Sequence, residues 1–260
     1  MRAMLMVGLA LAWASPALAI DPAAVKELAP TGKLRAGIAV APAPNAVFAV
    51  KEANGDYRGP TVTFSRALAK SLGVEVEFAP RPNTGELTEA LAAGTMDVGY
   101  MPVDEARRKL LDFSPPYSFA SSCYFVRTSS GLKTMADVDK ASVKVIAISG
   151  TTTLRAVEHN LKTNKVVAVR SVAEAIAMLK SNEAQAFALG RDSLKDLQKE
   201  VPDLIALDGA IHRADISIAV RKNHPAALAF VKAFVEDAKK SGAIRRAFDD
   251  AGLQGLEVAP

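Results

Sequence analysis

The 260-residue chain holds one cysteine, Cys123, so no internal disulfide can staple it. Its three histidines, His159, His212 and His224, stand far apart in sequence and offer no metal-ligand spacing, so neither a metal nor a cofactor is expected. Aromatic residues make up 6% of the chain and do not interleave with the basic ones, which argues against a nucleic-acid surface. Past the first residues, no apolar run approaches the roughly 20 residues that a membrane-spanning helix needs. Tandem repeats and low-complexity linkers are also missing.

Half of the residues are hydrophobic, enough for a sizeable core in one large domain or two lobes. The start reads as a secretory leader: Arg2, an apolar run from Leu5 to Trp13, and the small-x-small site Ala17-Leu18-Ala19. Cleavage after Ala19 would leave an exported protein, and with no cysteine near that point a lipid anchor is not expected. The formal charge of +4 falls to about +3 once Arg2 is removed, which is compatible with an anionic ligand. Cys123, in the apolar run SSCYFV, reads as a small buried hydrophobe.

Strand and helix patterns then alternate. Strands are predicted at Lys33–Val40, Val74–Phe78, Met96–Met101, Lys144–Ile148, Val166–Val169 and Ala184–Leu189. Asn54-Gly55 is a hairpin signal, and Gly73 is placed to cap a helix over Val62–Leu72. Asn83 and Glu86 have the spacing of a capping pair for a helix that stops at Gly94. Further helices are expected after Thr151, over Val172–Ser181, and over Pro225–Ser241 with Pro225 in the first turn. Such alternation predicts an α/β fold with parallel strands covered by helices.

The segment DVGYMPVDEARRKLLDFSPPY, Asp97–Tyr117, resembles family 3 periplasmic solute-binding proteins, the polar amino-acid receptors of ABC importers. GKLRAGIAV, KEANGDYRG, FSRALAKSLGVEVEF, LTEALAAGTMDV, ISGTT and IAVRKNHPAALAF follow in family order, over about residues 32–252. The resemblance implies a periplasmic-binding-protein-like fold: two α/β lobes joined by two crossing strands, near residues 120–122 and 215–217, with a ligand cleft between. Lobe 1 would hold residues 20–119 and 216–260, lobe 2 residues 120–215, and residues 1–19 the leader. It also implies a small-molecule ligand, an inner-membrane ABC permease as partner, a periplasmic location and a monomer.

By the same resemblance Arg107, five residues before Asp112, grips a ligand carboxylate. An arginine suits that task because its planar fork matches a carboxylate two bonds at a time. Read without the family, Arg107-Arg108-Lys109 is a solvated basic helix face. Gly150, Thr151 and Thr152 open a helix, where free N–H groups and the helix dipole favour an anion; the plain alternative is helix capping by a threonine.

The ammonium side departs from the family pattern. Ala39, Thr61 and Gly190 stand where carboxylates are usual, Pro42 and Pro60 replace two aromatic rings, and Pro102 replaces a threonine. Tyr100 is then the expected aromatic at the cleft floor, with Asn45 and Thr61 as neutral hydrogen-bond partners. These losses favour an organic acid without an α-ammonium over an amino acid. The alternative is that Asp192, two residues beyond Gly190, supplies the missing acid; it could also merely cap a helix starting at Ser193. His212, Arg213 and Asp215 read as exposed loop residues near the return crossing. An accessory or sensor protein on the same fold stays open, and a dehydratase-like enzyme is disfavoured because the stretch facing the ligand offers no paired carboxylates.

Overall fold

The computed structural model describes residues 21–41 and 44–260; the leader and Pro42 lie outside them. Helix α1 (Pro22–Leu28) is capped by Asp21 and precedes β1 (Lys33–Val40). A hairpin of β2 (Phe48–Lys51) and β3 (Tyr57–Arg58) turns at Gly55, whose φ of +92° only glycine adopts cheaply. Helix α2 (Pro60–Leu72) ends at Gly73, in the left-handed region as its capping role requires. Then come β4 (Glu75–Arg81), α3 (Thr84–Ala92), β5 (Val98–Pro102), the single turn α4 (Glu105–Arg108) and β6 (Leu111–Phe113).

The long strand β7 (Ser118–Arg127) leads into α5 (Met135–Val138), β8 (Val145–Ile148), α6 (Thr152–Asn160), β9 (Val166–Val169), α7 (Val172–Lys180) and β10 (Ala186–Gly190). The chain continues through α8 (Leu194–Glu200) and β11 (Leu204–Ala206), and returns on β12 (His212–Arg221). Helices α9 (Pro225–Lys240) and α10 (Ala243–Asp250) finish the chain.

Two α/β lobes result. In one, β1 runs parallel to β4 and β5; in the other, β8 runs parallel to β9 and β10. Strands β7 and β12 are common to both. Their near halves pair antiparallel, Ser118 opposite Ile216 and Ser122 opposite His212. Beyond that, β12 pairs with β5 and β6, and β7 with β10 and β11. Helices α9 and α10 return to the first lobe, where Phe248 packs 6.2 Å from Phe64, ring centre to ring centre.

The predicted strands and helices are found within a few residues of their expected ends. Asn83 accepts from the Glu86 N–H at 2.8 Å, as the capping pair requires. Register between β1 and β5 is locked by a polar clamp. The Asp97 carboxylate is buried and accepts from the Arg35 backbone N–H, Nε and Nη2 at 2.8, 3.0 and 2.6 Å. Cys123 is fully buried, and burial pushes its thiol up to about 11, so it is the inert hydrophobe expected.

Candidate functional site

Between the lobes lies a cavity of about 60 Å³, walled by Ala46, Val47, Phe48, Pro102, Ala120, Leu189 and Ala214. Its polar lining comes from Asn45, Thr84, Ser122, Thr151, Thr152, Thr153, Asp192 and His212. At roughly 10–15 Å³ per water, this space holds a few water molecules or one compact solute. A wider groove of about 350 Å³ follows the seam of the lobes outside it, past Asn83, Gly85, Glu86, Gly150 and Arg170.

Arg107 is not the solvated face of the plain reading. It is 2% exposed, while Arg108 and Lys109 beside it face solvent. The turn α4 is capped by Asp104, whose Oδ1 accepts from the Arg107 N–H at 2.9 Å. The guanidinium donates to Pro102 O at 2.6 Å, to Thr84 Oγ1 at 2.8 Å and, across the lobes, to Gly150 O at 3.1 Å. Among the described residues its Nε has no partner. Burial lowers the Arg107 pKa to about 9; nearby Arg155 adds to this and Asp104 opposes it. Arg107 stands behind Thr84, which itself lines the cavity; Thr84 is a site residue that sequence reasoning missed, since only its neighbour Asn83 carried a signal.

On the facing lobe, Thr151 is the N-cap of α6. Its hydroxyl donates to Ile148 O at 2.7 Å and accepts from the Leu154 N–H at 3.1 Å, so the capping reading describes it fully. Thr152 also lines the cavity, and its hydroxyl makes no hydrogen bond among the described residues. Gly150 has φ +65° and lies against Gly85 of the opposite lobe.

Asn45 is buried; its Oδ1 accepts from the Val47 and Phe48 N–H groups, both at 2.8 Å, and its Nδ2 reaches Ser193 Oγ at 3.4 Å across the lobes. Tyr100 and Thr61 lie elsewhere. Tyr100 is packed beside Phe64 and Tyr117, its hydroxyl 2.9 Å from Ser65 Oγ, and burial raises its phenol far above the ordinary value. Thr61 is fully buried in the first turn of α2. Strand alternation turns the Tyr100 side chain toward the lobe core rather than the cleft.

Asp192 lines the cavity with its side chain open to water, and among the described residues it forms no ion pair. It does not cap α8: the N-cap there is Ser193, without a side-chain bond. A Cβ built on Gly190 would lie 2.7 Å from Asp192 Oδ1. The carboxylate thus occupies the space that a side chain at residue 190 would take. Although its side chain still reaches water, the cleft walls crowding Asp192 desolvate it enough to raise its pKa to about 6, against the pull of the Asp192 and Ser193 N–H groups.

His212 is half-buried on β12 and lines the cavity, rather than sitting in an exposed loop. Its Nδ1 is 2.5 Å from Ser122 Oγ on the paired strand, and burial lowers its pKa. Arg213 and Asp215 do remain exposed, with Arg213 paired to Glu257.

The family model for bacterial extracellular solute-binding proteins, family 3, matches residues 38–251. The chain is 25% identical over 201 residues to the ABC transporter glutamine-binding protein of Bacillus subtilis (strain 168), covering 75% of this chain and 73% of that relative. Among solved structures, a mutant of ArgBP from T. maritima is 28% identical with a TM-score of 0.77, covering 87% of this chain and 98% of that one. An ancestral amino acid-binding protein, described as a precursor of cyclohexadienyl dehydratase, is 28% identical with a TM-score of 0.74 over the same shares.

Proposed function

Because this chain belongs to family 3 of the bacterial extracellular solute-binding proteins, we propose that it is the periplasmic receptor of an ABC importer for a compact α-amino acid. Residues 1–19 serve as the cleaved leader. Residues 20–119 with 216–260, and residues 120–215, are the two lobes that close on the solute and present it to an inner-membrane permease. No catalysis is involved, and the receptor acts as a monomer.

The observation that carries the amino-acid reading is Asp192. Its carboxylate fills the space beside Gly190, lines the cavity and, among the described residues, has no ion-pair partner. A ligand ammonium would meet it there and supply the ion pair that Asp192 lacks among the described residues. Arg107, set back behind Thr84, takes the solute carboxylate by exchanging the Gly150 carbonyl for it, with Thr152 and the N–H groups opening α6 as further donors. Asn45 and Thr151 hold the walls in place; Tyr100 and Thr61 support the first lobe from inside. The organic acid without an ammonium, favoured by the losses at Ala39, Thr61 and Gly190, becomes the second reading. What supports it is the neutral lining of the cavity apart from Asp192.

The test is a thermal-shift panel of the chain from residue 20 onward against the twenty amino acids and their desamino counterparts. A ligand at about 100 times its Kd adds about 2.7 kcal/mol of stability. Shifts with amino acids that vanish in Asp192→Asn and Arg107→Ala are the expected result. Shifts with desamino acids only, unaffected by Asp192→Asn, would restore the organic-acid reading. No shift with either set would favour an accessory or sensor protein on this fold.

A further inference from the structure

Asp104 uses both carboxylate oxygens, one in each direction. Oδ1 caps α4 within its own lobe, at 2.9 Å from the Arg107 N–H. Oδ2 accepts from Arg155 on α6 of the other lobe, through Nε at 2.7 Å and through Nη2. Arg155 Nη1 also donates to Gly150 O at 3.1 Å, and Arg107 Nη2 donates to that same oxygen at 3.1 Å. One backbone carbonyl therefore receives a guanidinium from each lobe, with Asp104 as the carboxylate between them.

We propose that Asp104 and Arg155 are a positioning pair, which sets the ligand-gripping geometry of Arg107 only when the lobes are closed. A four-residue turn is too short to hold itself in water, so the pose of Arg107 depends on its cap. Arg155 anchors that cap from the far side of the cleft. The pair also makes two neighbouring guanidiniums tolerable: without the Asp104 charge, Arg107 and Arg155 would repel each other across the same carbonyl. Closure and the readiness of Arg107 thus become one event, the coupling expected of a two-state hinge. The part concerning ligand grip rests on the amino-acid receptor reading; the part concerning closure does not.

Asp104→Asn separates the two roles of the carboxylate, since asparagine caps a helix as well as aspartate but carries no charge. Small-angle scattering of the ligand-free chain is the first measurement, on the native protein, Asp104→Asn, Arg155→Gln and the double variant. The native chain is expected to be compact at about 0.02 M NaCl and to expand toward about 0.5 M, where surface charges are screened within a few ångströms. Each single variant should show the larger radius of gyration at both salt concentrations, the double variant should expand no further, and Arg155→Lys should restore part of the closure. In calorimetry against the twenty amino acids, each single variant should bind the native ligand about fivefold more weakly, again without addition in the double variant.

A native chain already open at low salt, or variants as compact as it is, overturns the proposal. Equal affinities of native and variants overturn it as well. If the native chain binds no amino acid while the scattering differences hold, the closure pair stands and the receptor reading falls instead.

Discussion

Gly85 and Gly150 meet across the lobes so closely that a Cβ on Gly85 would stand 2.7 Å from the Gly150 Cα. Real side chains do not approach backbone at that distance, so the closed form requires glycine at residue 85. Gly85→Ala should leave the open protein as stable as before, or slightly more so, because alanine favours a helical turn by up to about 1 kcal/mol over glycine. Solute affinity should fall about tenfold or more, equivalent to about 1.4 kcal/mol. Calorimetric titration beside a thermal melt checks both halves; unchanged affinity would mean that the lobes need not close so far.

Arg107 is buried with three acceptors on its guanidinium. Arg107→Met should abolish the ligand-induced thermal shift and cost about 1–3 kcal/mol in urea unfolding, as the Thr84 and Pro102 oxygens lose their donor. Arg107→Lys should not rescue binding, since an ammonium cannot reproduce the planar fork.

The Asp192 carboxyl has a pKa of about 6 in the fold against 3.8 ordinarily. Between those values the folded chain holds a proton on Asp192 that the unfolded chain has released, so the contribution of Asp192 to ligand-free stability should decline as pH rises through this window. Asp192→Asn should flatten that slope. Binding of an amino acid should go the opposite way, strengthening as pH rises toward and past about 6, because the ammonium needs the ionised carboxylate. Denaturation and titration at several pH values test the two slopes independently; amino-acid affinity that weakens with rising pH in this range would remove Asp192 from the ammonium site.

Asp97 and Arg35 form a clamp outside the cleft, with the carboxylate fully buried. Asp97→Ala strands the Arg35 backbone N–H and its guanidinium, and should cost about 3 kcal/mol. Solute affinity should stay within about twofold, since the clamp sets strand register in the lobe interior and touches no cavity residue. A matching loss of affinity would show that the β1–β5 register also shapes the cleft.

Much of the architecture was legible because its signals are local. Asn83 with Glu86, Gly73 and the Asn54-Gly55 turn each mark an element boundary within a few residues, and the structure places boundaries there. The buried state of Arg107 was legible only through the family resemblance; its charge and neighbours alone point to solvent. Tyr100 and Thr61 were harder, since one residue of strand or helix rotation decides between core and cleft. Thr84 gave no signal beside the stronger cap at Asn83. The bond from Arg155 to Asp104 spans 51 positions and joins two lobes, so no window along the chain contains both partners.

Strand β12 pairs with β5 and β6 in one lobe and with β7 on the way to the other, although it comes more than a hundred residues after β5. The second lobe's β8, β9 and β10 are consecutive in the chain and can pair as soon as they are available together. The first lobe must wait for residues 212–221, and for α9 and α10 after them, before its sheet is complete. During synthesis, therefore, the half of the molecule that begins first is finished last. A sheet that closes only on β12 keeps β1, β4 and β5 without their last neighbour until residues 212–221 have been made.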